Sequence, residues 1–281
     1  MITRGKKYLI TGGTGVIGYS LCKRILNMGG RVIVLSHSES KLNKLKEKHN
    51  EIEIVVGDIC DKQLVKDTMK KVDGVFHLAA LAQGMQSGKP IESIQTNLIG
   101  SINVLEASTD VDFVLGISSD KAVQVSGTYG ATKFLMEKLF NQFEEGNPKT
   151  KYRVVRLGNI IYSTDSVLWK WKKLIEACEE VIVTDYNATR FYLTNEESVD
   201  LIFNCLENSV DSKPYYEHTK STSIKNLLQA MTNKYLPSDC ELPVKVIGLQ
   251  PNENLHEKIS EEGSFTNEID SYTITELEEL I

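Results

Sequence analysis

A short apolar run leads into a glycine-rich turn at Tyr8-Leu9-Ile10-Thr11-Gly12-Gly13-Thr14-Gly15-Val16-Ile17-Gly18, and helical spacing continues over residues 15–28. The apolar run predicts a buried strand, because it lacks the alternation of a strand with one wet face. Gly12, Gly15 and Gly18 form a GxxGxxG pattern. In a strand–turn–helix unit, such glycines allow a tight turn, close backbone approach to a ligand and close helix–strand packing. The stretch therefore predicts the first unit of an α/β fold with a ligand-binding turn.

Strand and helix patterns continue to alternate along the first half of the chain. Further strands are predicted at residues 32–35, 52–56, 74–78 and 113–117 and around Val154 and Val155, with helices at 39–48, 61–70, 91–108 and 128–143. Repeated βα units with short connections predict a doubly wound parallel sheet of the Rossmann type.

The alternation weakens after about residue 157, which predicts a smaller C-terminal lobe that binds substrate. We expect the acidic tail, residues 257–281, to be only partly ordered. The predicted boundaries are 1–157 for a dinucleotide-binding domain, with 188–210 returning to it, and 158–187 and 211–281 for the substrate lobe.

Composition excludes several classes of protein. The 281 residues are 41 % hydrophobic and carry a net charge of −6, which argues against a basic surface for nucleic acid or anionic membranes. No apolar stretch approaches the ~18 residues that suggest a membrane span. The five cysteines are odd in number and form no CxxC pair, so neither a metal site nor a disulfide framework is predicted. We expect a reduced, cytoplasmic protein with no nucleic-acid or membrane partner.

The end of the second predicted strand bears on the choice of dinucleotide. Enzymes that use NAD usually place an acid there to bind the ribose 2′-hydroxyl, whereas this chain has Ser36-His37-Ser38. Because no acidic residue stands there to repel a 2′-phosphate, and because His37 and Lys41 could attract one, NADP is favoured over NAD. Asp58 would either meet the adenine amino group or cap the next helix. The remaining predicted cofactor contacts are Thr14, Val16, Ile17, Ile59, Leu78, Ala79, Ala80, Asn97 and Leu157.

A tyrosine and a lysine four residues apart lie on one face of a helix. Three such pairs occur in the chain: Tyr19 and Lys23, Tyr129 and Lys133, and Tyr216 and Lys220. Only Tyr129 opens the helix after the fifth predicted strand, at the sheet edge where ligands bind in open α/β folds. We therefore predict Tyr129 and Lys133 as the catalytic pair, with both also touching the cofactor. The lysine charge would lower the pKa of the tyrosine hydroxyl.

These motifs together resemble the extended short-chain dehydrogenases/reductases. Ser119-Asp120-Lys121-Ala122 followed by Tyr129-Gly130-Ala131-Thr132-Lys133 is similar to the inverting UDP-N-acetylglucosamine 4,6-dehydratases. Three further stretches support the resemblance in order along nearly the whole chain: Arg156-Leu157-Gly158-Asn159, Thr189-Arg190-Phe191 and Pro251-Asn252-Glu253-Asn254-Leu255-His256-Glu257.

The resemblance implies an NADP-dependent enzyme acting on a UDP-linked N-acetyl amino sugar. Tyr129 would take the 4-hydroxyl proton while C4 gives hydride to NADP, and Ser119 would bond the 4-oxygen. Lys121 would be the base at C5, and Asp120 would protonate the leaving 6-hydroxyl. Hydride would return to C6, and reprotonation on the opposite face would invert C5. The substrate would also contact Gln83, Asn159, Arg190 and Glu253, and the resemblance implies a homo-oligomer.

The chain departs from the family's pattern, which keeps alternatives open. Residues 80–85 lack a Lys-His segment, residues 160–166 lack an arginine, and residues 251–254 lack a lysine. One alternative is an oxidoreductase that runs part of the cycle on a UDP-6-deoxy sugar, by C4 oxidation with 5,6-ene reduction or by 4-keto reduction. Another is a non-catalytic, dinucleotide-binding regulatory protein. Asp120 with Lys121 could also be a surface ion pair, and Arg190 a surface arginine.

Overall fold

The computed structural model describes residues 2–81, 89–163 and 166–281, and its first part is a parallel sheet with helices on both faces. The strands of this sheet are β1 (Lys7–Thr11), β2 (Arg31–Ser36), β3 (Glu53–Val56), β4 (Gly74–His77), β5 (Phe113–Ser119) and β6 (Lys151–Leu157). Their order is β3-β2-β1-β4-β5-β6, and every neighbouring pair is parallel. This doubly wound order confirms the predicted Rossmann-type fold.

Helices connect these strands and cover the sheet. They are α1 (Val16–Asn27), α2 (Glu39–Lys48), α3 (Lys62–Met69), α4 (Pro90–Ile94), α5 (Gly100–Ala107) and α6 (Thr128–Gly146). A π-helical turn, Gln95–Ile99, joins α4 to α5. Tyr8 and Ile10 of β1 pack into one core with α1, while Leu9 packs into a second core on the other face. Burial on both faces explains why the strand sequences are continuously apolar.

The C-terminal part forms a smaller lobe with its own core. Its elements are β7 (Asn159–Ile160), α7 (Val167–Glu176), β8 (Val181–Val183), β9 (Thr189–Leu193), α8 (Asn195–Asn208), β10 (Ser221–Ser223), α9 (Ile224–Tyr235), β11 (Val244–Val246) and α10 (Ile274–Leu280). One small sheet has the order β10-β9-β7, and a second pairs β11 with β8. Helix α8 differs from its neighbours, because Ile202 and Cys205 pack into the core beneath β1 and α1.

The acidic tail is ordered, so the expectation of partial order is wrong. Thr266 and Leu277 are completely buried. The backbone of Ser221 in β10 accepts a hydrogen bond from Tyr272 and donates one to Asp270. The tail therefore completes the small sheet, a tertiary role that its acidic composition does not reveal.

The structure also contains a disulfide between Cys178 and Cys240, so the expectation of reduced cysteines is wrong for this pair. The two residues are 62 positions apart with Cα atoms at 6.2 Å, because the parallel pairing of β8 and β11 brings their flanking segments together. Within the described ranges, no cluster of three potential metal ligands occurs. No helix formed by these residues has the length and apolar character that a membrane crossing needs.

Candidate active site

A cavity of about 490 Å³ opens at the carboxyl edge of β5 and β6, beside the C-terminal lobe. Helix α6 and strands β7 and β9 contribute further walls. It brings together most of the predicted catalytic and substrate residues: Ser119, Asp120, Lys121, Tyr129, Asn159, Arg190 and Glu253. The predicted contact Gln83 lies outside the described residues.

The glycine-rich turn lies at the same edge of the sheet and fits a dinucleotide. Gly12 has φ +70°, and a Cβ on it would lie 2.8 Å from the Cα of Ala79. A Cβ on Gly18 would lie 2.6 Å from the Cα of Gly13. Gly15 precedes α1, and its Cβ would meet only the Gly12 carbonyl oxygen, at 3.4 Å. The turn thus leaves an open backbone cradle at a helix N-terminus, which suits a diphosphate.

Other predicted cofactor residues surround this turn. The hydroxyls of Ser36 and Thr14 are 3.2 Å apart, and Lys41 is exposed on α2. Asp58 does not cap α3, because Asp61 accepts the capping hydrogen bond from the backbone of Leu64, so that alternative is wrong. The remaining predicted contacts are placed as follows: Val16 and Ile17 in the first turn of α1, exposed His37 after β2, buried Ile59 beneath Gly100, Leu78 to Ala80 after β4, and Leu157 at the end of β6.

Asn97 ties the segment after β4 to α6. Its side-chain oxygen accepts a hydrogen bond from the backbone of Leu81 at 2.7 Å, and its amide donates to the Leu81 carbonyl at 3.2 Å. The same amide donates to the Thr132 hydroxyl at 3.0 Å. Asn97 therefore bonds the backbone of the segment that follows β4 and holds it against α6.

Tyr129 and Lys133 lie in the first two turns of α6. Lys133 Nζ donates to the carbonyl of Ile117 at 2.7 Å and lies 5.9 Å from the centre of the Tyr129 ring. A Cβ on Gly130 would lie 2.2 Å from the Lys121 carbonyl oxygen, so only glycine lets α6 approach the turn after β5 this closely.

The protonation of this pair differs from the expectation. Burial, with help from the Asp120 carboxylate, raises the pKa of Tyr129 to about 12, although its hydrogen bond with Ser119 opposes this. Burial lowers the pKa of Lys133 to about 8, although Glu137 opposes this. The predicted lowering of the tyrosine pKa by Lys133 is therefore wrong for the protein alone, because desolvation by burial dominates and the Asp120 carboxylate adds to it.

Asp120 and Lys121 form an ion pair inside the protein. Lys121 Nζ lies 2.9 Å from Asp120 Oδ2, and their side chains are 12 % and 1 % exposed, respectively. The Ser119 hydroxyl donates to Asp120 Oδ1 at 2.7 Å. The alternative of a surface ion pair is therefore wrong, and an acid and an amine face the cavity beside Tyr129.

Arg190 is also buried, which excludes the alternative of a surface arginine. Its Nη2 donates to Glu253 Oε1 at 2.9 Å, and its Nη1 donates to the carbonyls of Thr189 and Leu255. Asn159 donates to the carbonyl of Phe191 at 3.1 Å. The cavity therefore holds an immobilised cation, which suits an anionic ligand group.

Sequence reasoning missed several residues of the site. Glu257 is buried and lies 2.9 Å from Lys121 Nζ; its signal was its place at the end of the stretch beginning at Pro251. Tyr192 and Ser166 line the cavity without a sequence signal. The Ser166 hydroxyl is buried and has no hydrogen-bond partner among the residues that the structure describes.

Comparisons with known proteins agree with this geometry. A family model described as polysaccharide biosynthesis protein matches residues 8–279. An inverting UDP-N-acetylglucosamine 4,6-dehydratase of Campylobacter jejuni is 32 % identical over 95 % of this chain and 82 % of its own length. An uncharacterized membrane protein of Methanocaldococcus jannaschii is 34 % identical over 99 % of this chain and 85 % of its own length.

A solved structure extends the agreement to the whole fold. Pen from Bacillus thuringiensis superposes with a TM-score of 0.92 at 26 % identity, covering 100 % of this chain and 98 % of its own. The resemblance inferred from the sequence motifs is confirmed. The chain belongs to the polysaccharide biosynthesis protein family and is an enzyme of the extended short-chain dehydrogenase/reductase type.

Proposed function

We propose that this enzyme is an NADP-dependent 4,6-dehydratase that oxidises C4 of a UDP-linked N-acetyl amino sugar, eliminates water across C5 and C6, and inverts C5. The observation that carries the proposal is the cavity in which Asp120 and Lys121 lie beside Tyr129. Reduction of a 4-keto group needs the tyrosine alone as proton donor, whereas an added acid and amine provide for proton transfers at C5 and C6. The name of the Campylobacter relative supports the same reaction.

The residues of the cavity divide the proton transfers among them. Tyr129 exchanges a proton with the sugar 4-hydroxyl, whose oxygen is held by Ser119. One proton passing from Lys121 to Asp120 across 2.9 Å leaves a neutral amine as base for C5 and a carboxylic acid as donor to the 6-hydroxyl. When bound, a nicotinamide would accept the hydride from C4 and return it to C6.

The remaining residues bind and orient. Gly12, Gly15 and the N-terminus of α1 hold the cofactor diphosphate. Arg190 binds the substrate diphosphate, because a guanidinium fixed by Glu253 matches phosphate oxygens without further ordering. Asn159 and Glu253 offer hydrogen-bonding groups to the sugar. The proposal includes a homo-oligomer, since Ile91, Ile94 and Leu135 expose apolar side chains on the contacting helices α4 and α6.

The proposal is tested by proton NMR of the protein with NADP and UDP-N-acetylglucosamine in D₂O. We expect a new 6-deoxy methyl signal, deuterium at C5, and couplings of the inverted sugar. Binding of NADP without any reaction contradicts the proposal. Turnover only of a keto or unsaturated UDP-6-deoxy sugar would instead identify the oxidoreductase that runs part of the cycle.

The preference for NADP leads to a prediction at Lys41. We expect Lys41→Gln to weaken NADP binding about two- to fivefold, the effect of losing one exposed charge contact, and to leave NAD binding unchanged. Fluorescence titration with both cofactors measures this. Lys48→Gln is the matched control, since it removes the same charge two turns further along α2. Equal effects on NAD and NADP, or equal effects of both variants, would contradict a 2′-phosphate contact at Lys41.

A further inference from the structure

His77, the last residue of β4, is a buried titratable side chain that the proposed reaction does not use. Its ring nitrogens both have partners: Nδ1 lies 2.8 Å from the hydroxyl of Thr11, and Nε2 lies 2.9 Å from the hydroxyl of Ser101. Burial, with the positive charge of Lys133, lowers the pKa of His77 to about 3. The ring is therefore neutral at neutral pH, and one of its two nitrogens carries a proton.

The hydrogen-bond partners decide which nitrogen carries that proton. The Ser101 hydroxyl donates its single proton to the carbonyl of Asn97 at 2.7 Å, so towards His77 it can only accept. Nε2 of His77 is therefore the donor, and Nδ1 accepts from the Thr11 hydroxyl. The Thr11 oxygen in turn accepts from the backbone N–H of Ala79 at 3.2 Å. Four hydrogen bonds thus run in one direction from Ala79 to Asn97.

The side chain of Asn97 closes these bonds into a ring around residues 78–81. Its oxygen accepts from the backbone N–H of Leu81, and its amide donates to the carbonyl of Leu81. The bond at Ala79 holds the start of the segment, and Asn97 holds its end. His77 joins the two halves of the ring. Because a buried polar group without a partner is costly, breaking the ring at one point weakens its neighbours as well.

We propose that His77 is a positioning residue whose Nε2–H tautomer joins the glycine-rich turn to the π-helical turn of Asn97 and holds residues 78–81 in the shape that binds the dinucleotide. The inference rests on the proposed function, which places the cofactor against this segment. The turn and the segment touch directly, since a Cβ on Gly12 would lie 2.8 Å from the Cα of Ala79. Backbone that is fixed before binding does not have to be ordered when the cofactor arrives, which strengthens binding.

The first test needs neither cofactor nor substrate, so its outcome is separate from that of the proposed function. Nitrogen NMR of the protein labelled with ¹⁵N-histidine distinguishes protonated from unprotonated ring nitrogens. The chain has five histidines, and the signals missing in His77→Asn are those of His77. We expect a protonated Nε2 and an unprotonated Nδ1 across the pH range in which an ordinary histidine titrates. A proton on Nδ1, or on both nitrogens, would overturn the proposal.

The second test measures cofactor binding in Ser101→Ala. This variant removes the acceptor of the His77 Nε2–H and leaves that donor buried without it. We expect the Kd for NADP, measured by fluorescence titration, to rise about three- to tenfold, the size of effect of one disrupted buried hydrogen bond. Hydrogen exchange should show that the backbone amide of Ala79 exchanges faster than in the wild type.

A matched control lies two turns further along the chain. Ser108 is also buried, and its hydroxyl donates to the carbonyl of Val104 at 2.7 Å, the same kind of bond that Ser101 makes with Asn97. Ser108→Ala should therefore lower stability in urea as Ser101→Ala does, but leave the Kd for NADP unchanged. An unchanged Kd in folded Ser101→Ala, or the same rise in Ser108→Ala, would show a role in stability alone and would overturn the proposal.

Substitutions of His77 itself separate its hydrogen bonds from its volume. His77→Asn keeps an oxygen close to the position of Nδ1, where it can accept from Thr11, whereas His77→Leu fills the space without any polar atom. We expect the Kd for NADP to rise further in His77→Leu than in His77→Asn, with circular dichroism establishing that both are folded. Equal Kd values in the two variants would contradict a role for the hydrogen bonds. Wild-type protein that binds neither NADP nor NAD would overturn the proposed function and the positioning role with it, whereas the tautomer is decided by the NMR experiment.

Discussion

Tyr129→Phe is expected to lower kcat about a thousandfold, which lies within the range for loss of a general acid–base group. The hydroxyl faces the cavity beside Ser119, and no other tyrosine is placed at the start of the helix that follows β5. The variant removes one oxygen atom and leaves the ring, so α6 and the glycine-rich turn keep their shape. Steady-state kinetics measures the loss, and fluorescence titration should show an unchanged Kd for NADP.

The other tyrosines of the same spacing provide the control. Tyr216 also has a lysine four residues later, but it is exposed and lies outside the cavity. Tyr216→Phe should therefore change kcat less than twofold. Equal losses of kcat in the two variants would contradict the assignment of Tyr129 as the catalytic tyrosine. A loss in Tyr129→Phe that arises entirely from weaker cofactor binding would contradict it as well.

The raised pKa of Tyr129 bears on how the loss depends on pH. At a pKa of about 12 the hydroxyl is protonated at neutral pH. In the protein without bound cofactor, Tyr129 is therefore suited to donate a proton. To act as a base it must pass its proton on as it takes one from the sugar, or be stabilised as the anion by positive charge that arrives with the cofactor. We expect the kcat of the wild type to fall at low pH through groups other than Tyr129.

The site shows where sequence reasoning succeeds and where it stops. The glycine-rich turn and the position of Tyr129 after β5 were predictable, because each depends on neighbours close in sequence. The protonation of Tyr129 was not, because burial arises from elements that pack over it. Glu257 reaches Lys121 across 136 positions of the chain, and the Cys178–Cys240 bond depends on two short strands pairing. Contacts of this kind have no local pattern.

Glu137→Ala is expected to lower the free energy of unfolding by about 3 kcal/mol, the low end of the cost of breaking a buried ion pair, because Arg156 keeps a second partner in the exposed carboxylate of Glu261. Glu137 of α6 and Arg156 of β6 are each 3 % exposed. Arg156 Nε and Nη2 donate to the two carboxylate oxygens of Glu137 at 2.8 Å, and the Ser118 hydroxyl donates to one of them at 2.6 Å. Urea denaturation monitored by circular dichroism measures the loss.

Two further variants separate the destabilisation caused by an unpaired charge from that caused by lost side-chain packing. Glu137→Met with Arg156→Leu removes both charges and should recover part of the stability, because replacing a buried pair with apolar residues is often neutral. Glu144→Ala breaks the less buried pair with Arg153 and should cost about 1 kcal/mol or less. A double variant as unstable as Glu137→Ala would contradict the charge argument.

Because Glu137 also raises the pKa of Lys133, its loss should lower that pKa below about 8 and leave less of the charged lysine beside Tyr129 at neutral pH. Glu137 thus couples the stability of the α6–β6 contact to the charge of the predicted catalytic lysine, and the single variant should lose activity at neutral pH even where it remains folded.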